Sequence, residues 1–502
     1  MAQDERTAIL ISAPLVEPKA EWFSEEHSER LGRLDAATTE YSARTLYAPI
    51  PAGELLHADN ITLINSALLR FGAMLEKEGM GTAYYKGAKD EIMHQLDASF
   101  ASGAPAFIAI SLPHLDSQHY VAALAEMCES RWPGVPVIVG GQGARFVERS
   151  LMPRAVLVQG SGDLPLYAIA NGWQPPAVVK SGAVPSEYRV AFETKYADGI
   201  YPDYSLAAPL MTPIARVYFY RGCLLGEYNK PCRMCLVKED KRWHQEGEPG
   251  GILKGIGQMQ KLFGTKYAFA ADEDFFLNPV ATDLLISKFT AWRARPGNEN
   301  FRFSVQSRIL TFIDFCSRHP DHAQLFADAG IIDVHFGAET IDASLREKWW
   351  GGKYNNDELM LALNLAKQAG LYTCCYFQIG LPGETPKQMA ATAAFIEEHM
   401  ESGLVTFFNT YYPFAPRENF MAEEIARYGI EWHPYDPVRY CGNLAELPPM
   451  RSNSASYAEI AHHMHASMRV MTRILEKRIA GMMAAEGPDA KRKMPKTGPI
   501  RT

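Results

Sequence analysis

Short apolar runs alternate with amphipathic stretches through the first third of the chain. The apolar runs at residues 8–15, 107–112, 135–139 and 155–159 predict buried strands. The stretches at 61–78 and 118–131 carry apolar residues at helical spacing. Strands that alternate with helices predict a doubly wound parallel sheet, which binds ligands outside the carboxyl ends of its strands.

The same alternation resumes near residue 216 and continues for six units. Strands are predicted at 216–220, 267–271, 301–305, 333–336, 372–378 and 405–410. Helices between them are predicted at 253–263, 279–295, 314–329 and 356–369. Six strand–helix units indicate a partial (β/α)6 barrel, in which reactive residues follow the carboxyl ends of the strands.

These patterns divide the chain into four parts. We predict an α/β fold, with a Rossmann-like domain over residues 1–175, an irregular linker over 176–211 and the partial barrel over 212–415. Residues 416–502 form a mainly helical C-terminal region, with a long helix over 454–486 and a disordered basic tail.

Composition and charge exclude several classes of protein. The formal net charge of -8 argues against a nucleic-acid-binding surface, which needs clustered Lys and Arg. The sequence shows neither a signal peptide nor an apolar stretch long enough to span a membrane, so we expect a cytoplasmic protein. The eight cysteines are too sparse for a disulfide scaffold.

Three of these cysteines, Cys223, Cys232 and Cys235, lie close together on the loop that follows the first barrel strand. Clustered cysteines in a cytosolic protein suggest a metal site. Three thiolates can hold three irons of a cubane cluster and leave the fourth iron open. The spacing alone leaves a second possibility, a zinc site completed by His244.

Polar residues and glycines follow each of the next four barrel strands. In chain order they are Asp272 and Glu273, then Gln306 and Arg308, then Glu339, and finally Gln378 and Gly380. The carboxylates could accept hydrogen bonds from an ammonium group or a ribose, and Arg308 could pair with a carboxylate. Each position alone is a weak signal, whereas their joint order is specific.

In the order of these motifs and in their residues, the chain resembles the radical S-adenosylmethionine (SAM) enzymes. The resemblance is specifically to the branch with an N-terminal cobalamin-binding domain (class B radical SAM methyltransferase-like). The segment GAETIDASLREKWWGGKYNNDELMLALNLAKQAGLYTCCYFQIGLPGET is similar to the family's run from the fourth to the fifth barrel strand. DEDFFLN is similar to its carboxylate segment after the second strand. The resemblance covers roughly residues 5–415.

The resemblance implies that Cys223, Cys232 and Cys235 bind a [4Fe–4S] cluster whose open iron takes SAM. It further implies that the cofactors contact the barrel residues Met234, Asp272, Glu273, Gln306, Arg308, Glu339, Gln378 and Gly380, with Gly380 allowing close approach of the adenosine. The chain departs from the family in one respect. Eight residues separate the first two cysteines where the family has three, whereas the CxxC half is intact.

In the family the first domain places a cobalamin over the barrel mouth. The matching positions here are Ser111, Leu112, Gly140, Gly141, Gly160 and Gly162. The sequence contains no Asp-x-His-x-x-Gly motif, which in other cobalamin proteins supplies the histidine below the cobalt. We therefore expect the lower face to be open or contacted by another residue. His114 is the nearest histidine, and an ordinary surface role is the favoured interpretation for it.

The expected activity is reductive cleavage of SAM to a 5′-deoxyadenosyl radical and methylation of an unactivated carbon in a small biosynthetic intermediate. An electron donor such as flavodoxin or ferredoxin is the implied partner. Two alternatives remain: a radical SAM rearrangement, cyclisation or oxidation with cobalamin non-methylating or absent, and a zinc-stabilised binding protein without enzymatic activity.

Overall fold

The chain folds into two parallel α/β units followed by a helical C-terminal region. This computed structural model describes residues 7–12, 24–46, 66–87, 89–100, 103–112, 117–145, 147, 149–197, 199–207, 214–223, 232–234, 244–245, 248–351, 354–413, 415, 417–433 and 446–486. The predicted α/β fold, with a doubly wound first sheet and a six-stranded partial barrel, is confirmed.

The first sheet has six parallel strands in the order β2-β1-β3-β4-β5-β6. Its strands are β1 (Thr7–Ser12), β2 (Gly81–Lys86), β3 (Phe107–Ser111), β4 (Val137–Gly140), β5 (Val156–Gln159) and β6 (Val178–Lys180). The helices of this part are α1 (Glu25–Arg44), α2 (Ser66–Lys77), α3 (Lys89–Ser99), α4 (Gln118–Arg131), α5 (Asp163–Ala170) and α6 (Ser186–Lys195). Separate apolar clusters cover the two faces of the sheet, as expected for strands that are buried on both sides.

The segment 176–211, predicted to be an irregular linker, requires correction. It contributes β6 to the edge of the first sheet, and its helix α6 packs Phe192 against Tyr167 with ring centroids 5.4 Å apart. The signal was weak because β6 has only three residues and α6 has no fully buried side chain. These residues therefore extend the first domain.

The second sheet has the order β14-β13-β12-β11-β10-β7, and all of its neighbouring strands are parallel. Its strands are β7 (Ile214–Val217), β10 (Tyr267–Ala270), β11 (Arg302–Ser307), β12 (Ile331–Glu339), β13 (Tyr372–Gln378) and β14 (Phe407–Tyr411), and a small antiparallel pair adds β8 (Tyr220–Arg221) and β9 (His244–Gln245). The helices are α7 (Pro249–Phe263), α8 (Pro279–Arg293), α9 (Ile309–Arg318), α10 (His322–Ala329), α11 (Ala343–Trp350), α12 (Asn356–Gln368) and α13 (Pro386–Glu401). The single helix predicted over 314–329 is thus two helices, separated by a segment that contains Pro320, which cannot continue a helix.

Local capping fixes where the barrel helices begin. Asn278 accepts a hydrogen bond from the Ala281 amide at the start of α8, and Pro279 occupies its first turn. At the start of α13, Thr385 and Gln388 form a capping box. Each helix therefore begins directly after a strand-end loop, which holds those loops at one end of the barrel.

The C-terminal region contains α14 (Ala422–Tyr428), the antiparallel pair β15 (Glu431–Trp432) and β16 (Met450–Arg451), and the long helix α15 (Tyr457–Glu486). The long helix confirms the prediction, and it packs against α13 and against α1. Helix α1 thus belongs in sequence to the first domain but lies on the second. No helix in the described part of the chain combines the length and apolar character that crossing a bilayer requires.

Candidate functional site

The cysteine-bearing loop begins at the carboxyl end of the first barrel strand. Cys223 lies two residues after the end of β8, and the intervening Gly222 has a φ of 93°, which an L side chain rarely adopts. Cys223 and Cys232 are both partly exposed, whereas Cys128, Cys316, Cys374 and Cys375 are buried. Cys235 lies outside the described residues. The two described members of the trio are thus the thiols that a cofactor could reach.

The second end of this loop is fixed to helix α11. The Cys232 thiol donates to the Trp350 carbonyl at 2.9 Å, and the Arg233 amide donates to the Trp349 carbonyl at 2.8 Å. Met234, predicted as a cofactor contact, is 6% exposed and belongs to an apolar cluster with Trp349. Its described role is therefore packing of the CxxC half.

Two carboxylates hold the first end of the loop from below. Asp272 is 1% exposed, and its Oδ1 accepts from the amides of Phe219 at 2.8 Å and Tyr220 at 2.5 Å. Glu273 accepts from the Gly222 amide at 3.1 Å. Burial raises the pKa of Asp272 to about 7. We predicted cofactor contacts for both residues, and the contacts that the structure adds are to the backbone that leads into Cys223.

Asp274 similarly supports the backbone of a strand-end loop, in this case the loop after β11. It was not among the site residues predicted from the sequence. It is buried, its Oδ1 lies 2.9 Å from the Thr311 hydroxyl, and it accepts from the Arg308 amide at 3.4 Å. Burial raises its pKa to about 6. The signal lay in the DEDFFLN segment itself, whose third carboxylate points to the neighbouring loop that carries Arg308.

Glu339 ends β12 in a strained conformation. Its φ of 62° is the only positive value of a non-glycine residue among those described, and the pairing with β13 shifts register between Gly337 and Glu339. Gln378 donates to its carboxylate at 3.4 Å, and burial raises the pKa of Glu339 to about 7. The hydrogen bond joins these two predicted residues into one polar group at the barrel mouth. Backbone strain of this kind is concentrated at functional sites.

Gly380, for which we predict a close approach to adenosine, lies in a tight turn. Its φ is 96°, and a Cβ at this position would clash with Cγ2 of Ile460 on helix α15. The turn is held by buried Glu384, which accepts from the amides of Gly380 at 2.8 Å and Leu381 at 3.0 Å. The absence of a side chain at Gly380 is therefore needed for packing of the C-terminal helix.

The carboxyl edge of the first sheet is lined by small residues. Gly141, with a φ of 104°, approaches Leu112 so closely that a Cβ would lie 2.5 Å from the Leu112 carbonyl oxygen. Gly160 and Gly141 are exposed, whereas Ser111 is buried at the end of its strand. A Cβ on Gly140 would make only ordinary contact, 3.8 Å from Cβ of Val158.

Beside this edge, α2 and α5 are joined by an ion pair between Arg70 and Asp163 at 2.8 Å. A Cβ on Gly162, which precedes α5, would lie 2.9 Å from the Phe71 ring. This glycine therefore brings the two helices together. His114 lies outside the described residues.

The structure thus brings the predicted residues together in separate groups. The cysteine loop lies on Asp272 and Glu273, Glu339 meets Gln378, and the small residues line the edge of the first sheet. Gln306 lies within β11, where it pairs in register with His335 inside the barrel sheet.

Comparison with known proteins identifies similar folds and one matching domain. Residues 217–396 match the radical SAM superfamily. The radical S-adenosylmethionine methyltransferase TsrM from Kitasatospora setae, with cobalamin and a [4Fe–4S] cluster bound, superposes with a TM-score of 0.58 and 18% identity, covering 86% of this chain and 81% of that chain. TsrM with tryptophan substrate and the SAM analog aza-SAM gives the same TM-score and identity, over 81% and 72%.

The cobalamin-dependent S-adenosylmethionine radical enzyme OxsB with aqua-cobalamin bound has a TM-score of 0.54 and 14% identity. The alignment covers 82% of this chain but 53% of OxsB, so the chain spans about half of that enzyme. No curated protein sequence matches the chain. Residues 217–396 therefore match the radical SAM superfamily, and the chain has the two-domain fold seen in TsrM and OxsB.

Proposed function

We propose that the protein is a cobalamin-dependent radical SAM methyltransferase whose [4Fe–4S] cluster is held by Cys223, Cys232 and Cys235. The observation that carries the proposal is the cysteine loop, which is anchored at both ends and presents partly exposed thiols beside the barrel mouth. The superfamily match over the same residues and the shared two-domain fold support it.

The residues at the barrel mouth fit such a cluster and its SAM. Thiolates are the ligands that iron–sulfur clusters take, and three of them leave one iron free. The buried oxygens Asp272 Oδ2, Gln378 Oε1 and Glu384 Oε1 have no hydrogen-bond partner among the described residues. Buried polar atoms are normally paired, so these acceptors suit a polar ligand at the mouth.

When bound, the cluster and SAM supply a 5′-deoxyadenosyl radical and cobalamin supplies the methyl group. The chain positions these reagents. Asp272 and Glu273 hold the backbone before Cys223, and α11 holds the backbone around Cys232, so the thiols keep a fixed separation. Glu339 and Gln378 provide polar contacts at the rim, where the walls of the barrel exclude water from the reacting atoms.

The carboxyl edge of the first sheet fits the flat face of a cobalamin. Gly141, Gly160 and Ser161 expose small surfaces at one edge, and side chains there would stand between the sheet and a planar ligand. Because the sequence contains no Asp-x-His-x-x-Gly motif, the proposal keeps the lower cobalt face open or contacted by a residue other than histidine.

Single replacements of Cys223, Cys232 and Cys235 by alanine test the cluster assignment. We expect each to lose most of the iron of anaerobically reconstituted protein and to abolish 5′-deoxyadenosine formation from SAM. Cys316→Ala, which removes a buried thiol elsewhere, serves as the matched control and should keep both. Iron and SAM cleavage that persist in all three variants would overturn the proposal.

The same preparations separate the alternatives. Stoichiometric zinc without iron would favour the zinc site that His244 could complete, because β9 pairs His244 with Arg221, two residues before Cys223. S-adenosylhomocysteine formed together with 5′-deoxyadenosine indicates methyl transfer, whereas 5′-deoxyadenosine alone indicates rearrangement, cyclisation or oxidation. The cytoplasmic location, the small-molecule substrate and the flavodoxin or ferredoxin donor belong to the proposal as well.

A further inference from the structure

The strands of the barrel bury one face and leave the other partly open. On β12, Val334, Phe336 and Ala338 are fully buried in the core that the outer helices share, whereas the alternate residues His335 and Glu339 are partly exposed. The same alternation continues on β14, where Phe408 is buried and Tyr411 is partly exposed, and residues of opposite faces alternate along a strand. The partly exposed face therefore lines an open lumen.

A chain of three hydrogen-bonded side chains crosses this lumen below Glu339. Nδ1 of His335 lies 2.6 Å from the Tyr376 hydroxyl, and its Nε2 lies 2.9 Å from Asp333 Oδ2. Asp333 is 2% exposed, and its second oxygen has no partner among the described residues. Burial lowers the pKa of His335, but the neighbouring Tyr376, Asp333 and Cys374 raise this pKa well above its ordinary value.

Burying the carboxylate of this chain costs free energy unless its oxygens are paired. Asp333 Oδ1 has no hydrogen-bond partner among the described residues. Because His335 fixes the Tyr376 hydroxyl from one side, the remaining hydrogen-bonding capacity of that hydroxyl is available to a ligand in the lumen.

Aromatic rings form the walls around this hydroxyl. The Phe269 ring lies 5.0 Å from His335, and the Tyr411 ring lies 5.9 Å from Tyr376. Phe407 occupies the same face of β14 as Tyr411, and Tyr218 follows the end of β7; both are also partly exposed. At these distances the rings contact one another and form an aromatic surface. Such a surface gains a specific ring–ring interaction with an aromatic ligand, whereas an aliphatic ligand gains only its apolar contact.

We propose that the lumen is the substrate site and that it takes a small planar aromatic molecule whose polar group is hydrogen-bonded by Tyr376. His335 and Asp333 are positioning residues that hold the Tyr376 hydroxyl. The inference deepens the proposed function, since it names the substrate class of that same barrel, but it rests on different residues from those of the cluster.

Binding of two matched probes tests the inference. 2-Naphthol and decahydro-2-naphthol share a carbon skeleton and a hydroxyl group and differ in aromaticity. We expect 2-naphthol to bind the anaerobically reconstituted protein at least about tenfold more tightly than its saturated counterpart, measured by calorimetry and saturation-transfer NMR. We expect Tyr376→Phe to weaken 2-naphthol about tenfold, the value of one lost hydrogen bond.

Tyr412→Phe is the control, because Tyr412 is the neighbour of Tyr411 but is 2% exposed and donates to the Glu446 carbonyl outside the lumen. It should leave both probes unchanged. A second variant, Phe269→Leu, keeps apolar volume and should weaken 2-naphthol alone, which protects the test should Tyr376→Phe fold poorly. Equal affinity for the two probes, or 2-naphthol affinity that neither variant lowers, would overturn the inference.

Iron content and 5′-deoxyadenosine formation are measured on the same samples. Tyr376→Phe should keep its iron, because the hydrogen bond that the structure describes for the Tyr376 hydroxyl is to His335 and not to Cys223, Cys232 or the carboxylates that support them. If the wild-type protein lacks iron but still discriminates between the probes, the proposed function fails and the lumen assignment stands. If the wild-type protein contains iron but binds the two probes equally, the lumen assignment fails and the proposed function stands.

Discussion

At the scale of single residues, the barrel mouth concentrates buried carboxyl groups that resist ionisation. Burial raises the pKa of Asp272, Glu339 and Glu384 to about 7 in each case. A carboxyl group with a raised folded pKa stabilises the fold below its unfolded pKa, and this stability is lost as pH rises through the folded pKa. The window in which the mouth loses stability therefore extends from about pH 4.5 to pH 8.

Glu384→Gln isolates one of these groups. The amide oxygen of glutamine can still accept from the Gly380 and Leu381 amides, but it does not ionise. We expect the free energy of unfolding to fall between pH 5.5 and pH 8 by about 1–2 kcal/mol less in this variant than in the wild type. Urea denaturation at the two pH values measures it. An equal fall in the wild type and the variant would contradict this assignment.

Gly141 and Gly172 form a matched pair for the edge of the first sheet. Both have positive φ values, of 104° and 94°, but a Cβ at Gly172 meets nothing within 4 Å, whereas one at Gly141 meets the Leu112 carbonyl. Alanine costs about 1–2 kcal/mol of backbone strain at either site. We expect Gly141→Ala to cost about 2 kcal/mol more than Gly172→Ala in denaturant unfolding, because backbone atoms must move. Equal costs would show that the backbone at Leu112 can move away from an added Cβ without a further loss of stability.

The sequence predicts where polar residues lie at the strand ends better than it predicts which groups they contact. The spacing of the cysteines and the carboxylates after the strands could be predicted, because strand ends of a parallel barrel meet at one face. That Asp272 binds the Phe219 and Tyr220 amides could not, since it depends on a loop path that periodicity does not describe. Asp333 and His335 left a readable signal, polar residues two apart within an apolar strand.

At the scale of elements, helix α15 packs closely against the turn after β13 that contains Gly380. Ile460 occupies the space that a Gly380 side chain would need. We expect Gly380→Ala to destabilise the protein by about 2 kcal/mol or more, from the clash and the positive φ together. Adding Ile460→Ala should recover part of this cost, so a double-mutant cycle should give a coupling energy of about 1 kcal/mol. Strictly additive costs would show that Gly380 and Ile460 are not energetically coupled.

The elements that sequence patterns missed are those with weak apolar stripes. Helix α1 buries His27, Ala37, Thr39 and Ser42, which are small or polar, so its inner face carries little apolar signal. Its partner is α15, hundreds of residues away, where the rings of His27 and His465 lie 5.1 Å apart. The strongly apolar strands and the capped helices could be predicted, because their signals are local.

At the scale of the whole molecule, the contacts described between the first domain and the rest of the chain include two that pair secondary-structure elements. Helix α1 packs against α15, and the short turn at Tyr204–Ala207 packs against β2 and α2 on one side and α7 on the other. In this turn, Tyr204 is buried in the barrel core and lies against Gly255 of α7, while Leu206 fills the space beside Gly72 of α2. The two sheets therefore share parts of one core.

A shared core predicts that the domains unfold together. We expect a single calorimetric transition for the wild type, and Tyr204→Ala should lower its midpoint through the loss of about 3 kcal/mol of buried contact, without splitting it, because α1 still bridges the domains. Tyr188→Ala removes a partly buried ring packed only within the first domain and should shift the same transition less. Two separate transitions in the wild type, with Tyr204→Ala moving one of them, would show that each sheet is stable by itself and that the cofactor-bearing faces are free to separate.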